Sequence, residues 1–262
     1  ELYHNNGTDR MGFLSYLGGN VGYGYKTLQN VSNAHAGDHT AIGFNAGKEI
    51  TSATKNTMVG SYSGDALTTG SENTLVGYQA GTSIDSDSGN TAVGAYALQS
   101  NSGSNNVAVG YRAGTSAGGG TTTLIAIGYW AAPYTYAADN IGIGQWTMAA
   151  RTTSGAKNIA IGNHAGYDLG GGTENVFYGS HAGYDVQNGD YNTCLGSYAG
   201  RHLDGDAQSN VLIGRRAGYN VNGNHNVIIG SKEFSSSTVF SDTVVVSAGA
   251  TERLRINSAG IT

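Results

Sequence analysis

A short alternation of small polar, apolar and glycine residues recurs along most of this 262-residue chain. Its clearest copy is NTLVGYQAG, from Asn73 to Gly81, and NTMVGSYSG at Asn56 and NVAVGYRAG at Asn106 repeat it closely. With weaker copies the phrase occurs thirteen times, and its fifth-position glycines lie 16 to 19 residues apart. A fixed period of this length is typical of proteins in which each repeat forms one coil of a stack. The pattern therefore predicts an all-β protein, a parallel β-solenoid of about 13 coils with a period of about 17 residues.

The first four positions of the phrase predict a short strand in every coil. Position 2 is Thr, Val or Ile in almost every copy, and position 4 is nearly always Ile, Val or Leu, as in Thr74 and Val76. Alternate residues of a strand point to one face, and β-branched side chains favour strands. We therefore predict that positions 2 and 4 share one face, and that this face is the interior of the coil.

Glycines predict where each coil turns. The glycine at position 5 recurs in every copy, and only glycine enters positive φ at little cost, so we predict a corner after each strand. Position 8 is usually Ala or Ser and position 9 usually Gly, which predicts a second, crowded corner. An aliphatic residue three positions later is predicted to be a second inward anchor. These anchors are Val31, Ile50, Leu67, Ile84, Leu169, Val186, Leu203 and Val221.

The third position carries the prediction about assembly. It lies on the opposite face of the strand, where a monomeric solenoid would need polar residues, yet it is small or apolar. Because a strand that is apolar on both faces is covered on both faces, we predict an obligate oligomer whose subunits pack along this position. The alternative is that small residues are simply tolerated there. The predicted seam residues are Ala41, Met58, Leu75, Ala92, Ala108, Ala126, Ala160, Phe177, Cys194, Leu212 and Ile228.

The asparagine at position 1 permits two structural interpretations. It could form a ladder in which each side chain bonds the backbone of the next coil, or it could end each loop as an Asx turn.

The two ends of the chain depart from the repeat. We divide the chain into an N-terminal entry or cap segment, 1–19, a repeat domain, 20–234, and a C-terminal β-rich neck or exit segment, 235–262. Since the chain opens at Glu1 without an initiator methionine, we expect a fragment or a processed piece.

Composition narrows the class of protein. Forty-three glycines with a single proline exclude collagen, and one cysteine excludes an intrachain disulfide framework. The net charge of −5 disfavours nucleic acid as a partner, and the chain lacks an apolar run long enough to insert into a membrane.

Candidate metal ligands are few. Asp85 and Asp87, and Asp204 and Asp206, have calcium-like spacing but do not continue into a calcium-binding loop. His35, Asp38 and His39 lack a further ligand set. His164 and His181 share position 7 of neighbouring coils, so we expect them to stack, either as a plain ladder or as a spot sensitive to pH or metal. We expect no metal and no cofactor.

Catalysis has equally little support. A glycan hydrolase needs two carboxylates across a sugar site, and the acidic residues here lie singly in variable loops. We therefore expect a protein that is not an enzyme.

Aromatic residues offer more for binding. They recur at positions 6, 7 and 10, where they either contact sugar or protein or form ladders that shield the corners. The stretch from Tyr129 to Trp146 holds both tryptophans, the only proline and two irregular copies, and irregularity in a regular array favours a functional loop. The predicted receptor-contact residues are Tyr129, Trp130, Tyr134, Tyr136 and Trp146.

The Asn-x-x-Ile/Val-Gly phrase over residues 20–234 resembles the head of trimeric autotransporter adhesins. That resemblance implies a left-handed β-roll and an intertwined or side-by-side homotrimer. The period here is longer and less regular than in those heads, and their neck motif is absent after the last copy. The exit stretch TERLRINSAG instead resembles the sequence that leads into the C-terminal chaperone of bacteriophage tail fibres.

Together these resemblances imply a structural and host-attachment module of a viral tail fibre, extracellular and part of the virion. The expected partners are a host cell-surface glycan or protein and other tail proteins. The alternatives are the head of a bacterial trimeric adhesin and a tailspike-like glycan hydrolase.

Overall fold

The computed structural model of this protein describes residues 19–31, 37–100, 102–115, 122–150, 153–203, 205–234, 238–239, 241–257 and 259–261. Across these ranges the chain is all-β and contains no helix. It is a parallel β-solenoid with a period of about 17 residues, which confirms the predicted fold class. The chain divides into two compact units, 1–133 and 134–262, which are described in turn.

The first unit contains one three-residue strand per coil. Each strand pairs in parallel with the next, and equivalent positions face each other, so that Met58 lies opposite Leu75 and Leu75 opposite Ala92. The hydrogen bonds of each strand are therefore completed by the coil before and the coil after it. The strands are β1 (Val21–Tyr23), β2 (Thr40–Ile42), β3 (Thr57–Val59), β4 (Thr74–Val76), β5 (Thr91–Val93), β6 (Val107–Val109) and β7 (Ile125–Ile127).

The second unit repeats this arrangement and then changes at its C-terminal end. Its parallel strands are β8 (Ile141–Ile143), β9 (Ile159–Ile161), β10 (Val176–Tyr178), β11 (Thr193–Leu195), β12 (Val211–Ile213) and β14 (Val227–Ile229). Two short strands, β13 (Val221–Asn222) and β15 (Thr238–Val239), pair separately. Strand β16 (Val244–Ala248) pairs in parallel with β14, and β17 (Thr251–Asn257) and β18 (Gly260–Ile261) follow as an antiparallel meander. The regular coils thus end in a meander.

The strand faces are opposite to those predicted. The middle residue of each three-residue strand, which is position 3, is buried. All eleven predicted seam residues are fully buried and cannot form a seam: Ala41, Met58, Leu75, Ala92, Ala108, Ala126, Ala160, Phe177, Cys194, Leu212 and Ile228. Positions 2 and 4 point outward instead, and Ile42, for example, is 41% exposed.

The error has a simple physical cause. Alternation along a strand separates two faces, but it does not say which face is inward, and a shift of one residue exchanges them. β-Branched residues fit the outer, solvent-facing side of these short strands as well as an inner one.

Packing inside the coil depends on a match between positions 3 and 9. A Cβ at Gly183, a position-9 glycine, would lie 2.3 Å from the Phe177 ring, so glycine is needed beside a large position-3 side chain. In two coils with a small position 3, position 9 is large: Leu98 follows Ala92 and Met148 follows Gly142, whereas Ala41, Ala108 and Ala160 are followed by glycine. Both Leu98 and Met148 are fully buried. The predicted anchors are also buried, apart from Val31, which is partly exposed.

The glycine corner is confirmed. All thirteen position-5 glycines have φ between 111° and 142°, a region that other residues rarely adopt. The coils also approach each other closely here, since a Cβ at Gly77 would lie 2.4 Å from the carbonyl oxygen of Gly94.

The asparagines form the buried ladder that was one of the two predicted alternatives. The backbone N–H of Asn73 donates to Asn56 Oδ1 at 2.8 Å, and Asn73 Nδ2 donates to the same oxygen at 3.1 Å and to the Asp87 carbonyl at 2.9 Å. His39 takes the asparagine position in its coil, where its Nδ1 accepts from the Asn56 N–H and its Nε2 lies 3.0 Å from the Ala53 carbonyl. A neutral ring with the proton on Nε2 satisfies both bonds.

Candidate ligand-binding surface

A ladder of seven aromatic rings runs along the first unit, one ring per coil. Consecutive ring centroids are 5.2 to 6.4 Å apart, which is within the range of favourable aromatic contacts. The rings belong to Tyr25, Phe44, Tyr62, Tyr78, Tyr96, Tyr111 and Tyr129. This ladder confirms the interpretation that aromatics beyond the corner stack along the coils, yet part of it stays open to solvent.

The backbone beyond the glycine corner sets how each ring is presented. Position 7 has a left-handed backbone even though it is never glycine, as in Tyr62 (φ 59°) and Tyr96 (φ 61°). Rings at position 7 are half-buried, whereas those at position 6 are more exposed, 43% for Tyr78 and 40% for Tyr111. Because the ladder alternates between the two positions here, consecutive rings stand nearly perpendicular, at 84° to 88°.

Arg112 places a positive charge against this ladder. Its guanidinium lies over three rings, 5.3 Å from the centroid of Tyr96, 5.6 Å from Tyr111 and 5.0 Å from Trp130. Such contacts hold a cation through the negative face of the ring. Arg112 Nε is buried without a hydrogen-bond partner, and no ion pair or side-chain hydrogen bond joins Arg112 to any residue that the structure describes. The guanidinium is therefore positioned but not neutralised.

The second unit has a different, more tightly stacked ladder. The rings of His164 and His181 are 5.1 Å apart and nearly parallel, as predicted, and His181 stacks on Tyr198 at 4.9 Å. Tyr167 and Tyr184 stack beside them at 4.9 Å. Burial lowers the pKa of both histidines, and in His181 the neighbouring His164 and Arg201 charges lower the pKa further. Both shifts favour the neutral form of the rings.

Two arginines of the second unit also lie over rings, but both have partners. Arg201 donates to the Tyr219 hydroxyl at 2.8 Å, and Arg216 pairs with Glu233 at 2.6 Å. The same Arg201 guanidinium lies 5.4 Å from the centroids of Tyr184 and Tyr198. These contacts leave less of either guanidinium for an external anion than Arg112 offers.

The predicted receptor-contact residues are divided between the units. Tyr129 (45% exposed) and Trp130 belong to the first, where Trp130 covers the Arg112 guanidinium. Tyr134, Tyr136 and Trp146 belong to the second. Of these, Tyr136 is 45% exposed, and its backbone N–H donates to the Thr153 carbonyl at 2.8 Å. The prediction that these residues contact a receptor remains a prediction.

Arg112 was not among the site residues predicted from the sequence. It stands at position 7 of the ordinary phrase NVAVGYRAG, and only the aromatic residues at that position were considered for binding. The available signal was an arginine at position 7, where several other coils carry an aromatic residue. In the structure, position 7 has a left-handed backbone in every described coil up to Arg216. That conformation brings the side chains of neighbouring coils into contact.

The candidate metal ligands do not assemble. Over the described ranges, no three His, Cys, Asp or Glu side chains come together as a metal-binding group. The Asp85 carboxylate instead accepts a hydrogen bond from Thr68 Oγ1, and the backbone carbonyl of Asp87 accepts one from Asn73 Nδ2 in the asparagine ladder. His35 and Asp204 lie outside the described residues.

Cys194 is enclosed in the core and is not placed to act as a nucleophile. Burial raises the pKa of its thiol to about 12, so almost no thiolate forms at neutral pH.

The comparisons with known proteins leave the class of this chain open. No family model, no curated protein and no solved structure matches it. Within the described residues there is no helix of the length and apolarity needed to cross a membrane. Fold and surface chemistry therefore carry the functional argument.

Proposed function

We propose that this chain is a non-catalytic structural and host-attachment module of a viral tail fibre, extracellular on the virion, which assembles as a homotrimer. The observation that carries the proposal is the outward face of the strands. Its two columns, at positions 2 and 4, are lined by Val, Ile, Leu and Thr, with Tyr23 and Tyr178 at position 4 of two coils, rather than by charged residues.

This face is too apolar for a permanently solvated surface. In the first unit, Val93, Val109 and Ile127 are 36% to 37% exposed in adjacent coils, and in the second unit Ile213 and Ile229 are 37% and 42% exposed. Single exposed apolar residues are ordinary, but contiguous ones mark an interaction surface. The expectation that an apolar outward face is covered by another subunit, which the sequence placed at position 3, thus applies to positions 2 and 4.

A second copy of the chain is the partner that fits such a face. The columns repeat once per coil, because equivalent residues of neighbouring strands pair in register. Val93 lies opposite Val109 in the outward column, and Ala108 lies opposite Ala126 in the buried one. A partner chain whose side chains repeat with the same spacing can contact every coil of this face. A partner with an irregular surface can contact only a few coils. Identical subunits also form closed symmetric assemblies. The number three comes from the resemblance to trimeric adhesin heads and tail fibres.

The ring ladders support the attachment role. They expose tyrosine rings, a type of residue enriched at binding surfaces because each ring combines an apolar body with a polar tip. They lie beyond the glycine corner and not on the strand face, so a trimer packed through the strands leaves its rings available.

The assembly is tested by replacing the outward columns. We expect light scattering of the purified chain to give three times the 26.9 kDa protomer mass. Val93→Asp with Val109→Asp places charges in the proposed seam and is expected to dissociate the trimer. Ser83→Asp with Ser100→Asp adds the same charge at exposed loop positions and should leave the mass unchanged.

Two results would contradict this proposal. One is a wild-type chain that is monomeric at micromolar concentration. The other is a Val93/Val109 double variant that keeps the wild-type mass. Binding of the labelled trimer to host cells tests the attachment role separately.

A further inference from the structure

We propose that Arg112, with the rings around it, binds a linear glycan that carries carboxylate groups. This inference rests on the proposed attachment function and names the ligand class of that surface. It is carried by one juxtaposition, an unneutralised guanidinium held between aromatic rings on an exposed ladder.

The guanidinium is prepared for an anion. Contacts with Tyr96, Tyr111 and Trp130 restrict the Arg112 side chain, so little further rotamer entropy is lost when a ligand binds. Arg201 and Arg216, which also lie over rings, already donate to a tyrosine hydroxyl and to a glutamate. The Nε atoms of all three arginines are buried without a partner, but among the arginines that lie over rings in the described part of the chain only Arg112 also lacks an ion pair and a side-chain hydrogen bond from its terminal nitrogens.

A carboxylate is the group that suits this donor. The planar guanidinium matches a carboxylate with two parallel hydrogen bonds, which are stronger than those between neutral groups. The protein as a whole carries a net charge of −5, so bulk attraction of anions is weak and the local site has to supply the interaction.

The surroundings favour sugar over a compact anion. Tyr111 and Tyr129 stack on each other at 5.5 Å beside Arg112 and are 40% and 45% exposed, so they offer amphipathic ring surface next to the charge. Gln79, in the same column two coils earlier, is bonded by the Gln99 amide at 2.8 Å and adds amide groups along the ladder. The ladder carries one ring per coil, and neighbouring coils pair as parallel strands about 4.8 Å apart. A linear polymer of acidic sugars that lies along the ladder would therefore contact several rings and the guanidinium at one place.

The test compares two forms of one polymer by titration calorimetry on the purified chain. The probes are a short linear oligogalacturonate and its fully methyl-esterified form, which has the same backbone without the charge. The wild type should bind the acid at least about tenfold more tightly than the ester, as expected for a hydrogen-bonded charge pair. This comparison requires no variant.

Substitutions then assign the binding to Arg112. Arg112→Gln should weaken binding of the acid about tenfold or more. Arg112→Lys keeps the charge but loses the two-pronged donor and should fall between the two. Arg215→Gln removes the same charge from an exposed position in the other unit and should change the affinity by less than about twofold. Melting curves establish that each variant is folded.

Several outcomes would overturn the inference. They are equal binding of the acid and the ester by the wild type, binding of neither, unchanged affinity in Arg112→Gln, or binding of a sulfated dextran in preference to the oligogalacturonate. A trimer that binds neither polymer refutes this inference and leaves the assembly intact. A monomer that binds the acid supports the inference and refutes the proposed assembly.

Discussion

A Cβ at Gly94 would lie 2.5 Å from the carbonyl oxygen of Gly110 in the next coil. The backbone of Gly94 also has a φ of 134°, which side chains rarely permit. Each coil therefore stacks on the next through a contact that any other residue would block. The same relationship recurs along both units, so the glycine corner determines the spacing of the coils as well as their shape.

Gly94→Ala is expected to destabilise the fold strongly. The new methyl group meets backbone, which cannot move aside as a side chain can, and the backbone conformation is itself unfavourable for alanine. We expect a loss of about 3 kcal/mol or more, measured as the change in denaturant midpoint at constant slope.

Gly249→Ala is the matched control for that experiment. Gly249 has a φ of 61° but no atom within 4 Å of a Cβ, so the substitution introduces strain without a clash. Its cost should be about 1 kcal/mol. Equal losses at Gly94 and Gly249 would mean that the close approach of the coils contributes nothing.

Asn73→Ala should destabilise the first unit clearly. It removes the side-chain hydrogen bonds from Asn73 to Asn56 and to the Asp87 carbonyl, and it leaves the buried N–H of Asn90 without its acceptor. Each buried group left unpaired costs about 1–3 kcal/mol, so the midpoint of chemical unfolding should fall clearly. Asn188→Ala, at an exposed site, should change stability by less than about 0.5 kcal/mol. Equal effects would contradict the ladder.

His39 should make stability depend on pH. Burial lowers the pKa of His39 in the folded chain, and the hydrogen bond to the Ala53 carbonyl and the nearby Asp38 charge only partly oppose this. As pH falls through about 6.5, the ordinary histidine value, the unfolded chain takes up a proton that the folded chain excludes. Stability is therefore complete above that value and is lost as the solution becomes more acidic.

His39→Asn isolates this contribution, because it restores the asparagine of the other coils. Its stability should fall less than that of the wild type between pH 8 and pH 5. His164 and His181, whose pKa is also lowered, remain in both proteins, so the difference between the two melting profiles reports on His39. Parallel profiles would show that the ring at position 1 is not held neutral.

Cys194 distinguishes the observed strand face from the predicted one. Since the thiol is fully buried and burial raises its pKa to about 12, the native protein should not react with a thiol reagent at pH 8. Reaction should appear only after unfolding in denaturant. Rapid labelling of the folded chain would mean that position 3 is exposed.

Leu98→Ala should leave a cavity in the fifth coil. Position 3 of that coil is Ala92, so Leu98 fills the volume that larger position-3 residues fill elsewhere. We expect a loss of about 2–5 kcal/mol in unfolding experiments. Adding Ala92→Leu should recover part of it, and an additive effect of the two substitutions would argue against shared volume.

The sequence by itself determined the period, the strands, the corners and the inward anchors. These follow from local chemistry, since glycine alone tolerates the corner at Gly94, and β-branched residues such as Thr74 and Val76 favour strands. The asparagine ladder was also within reach, although one alternative, the Asx turn, could not be excluded from a single phrase.

Only the tertiary structure decided which strand face is inside and which side chains of different coils meet. Thr74 and Val76 flank Leu75 in the same strand, and local preference is satisfied whichever side faces the core. The choice depends on the volume enclosed by the whole coil, where Leu75 fits between the glycine corners. Likewise, Arg112 reaches the rings of Tyr96 and Trp130 because neighbouring coils share one backbone conformation at position 7. Such contacts join residues 16 or more apart in the chain, and no local pattern specifies them.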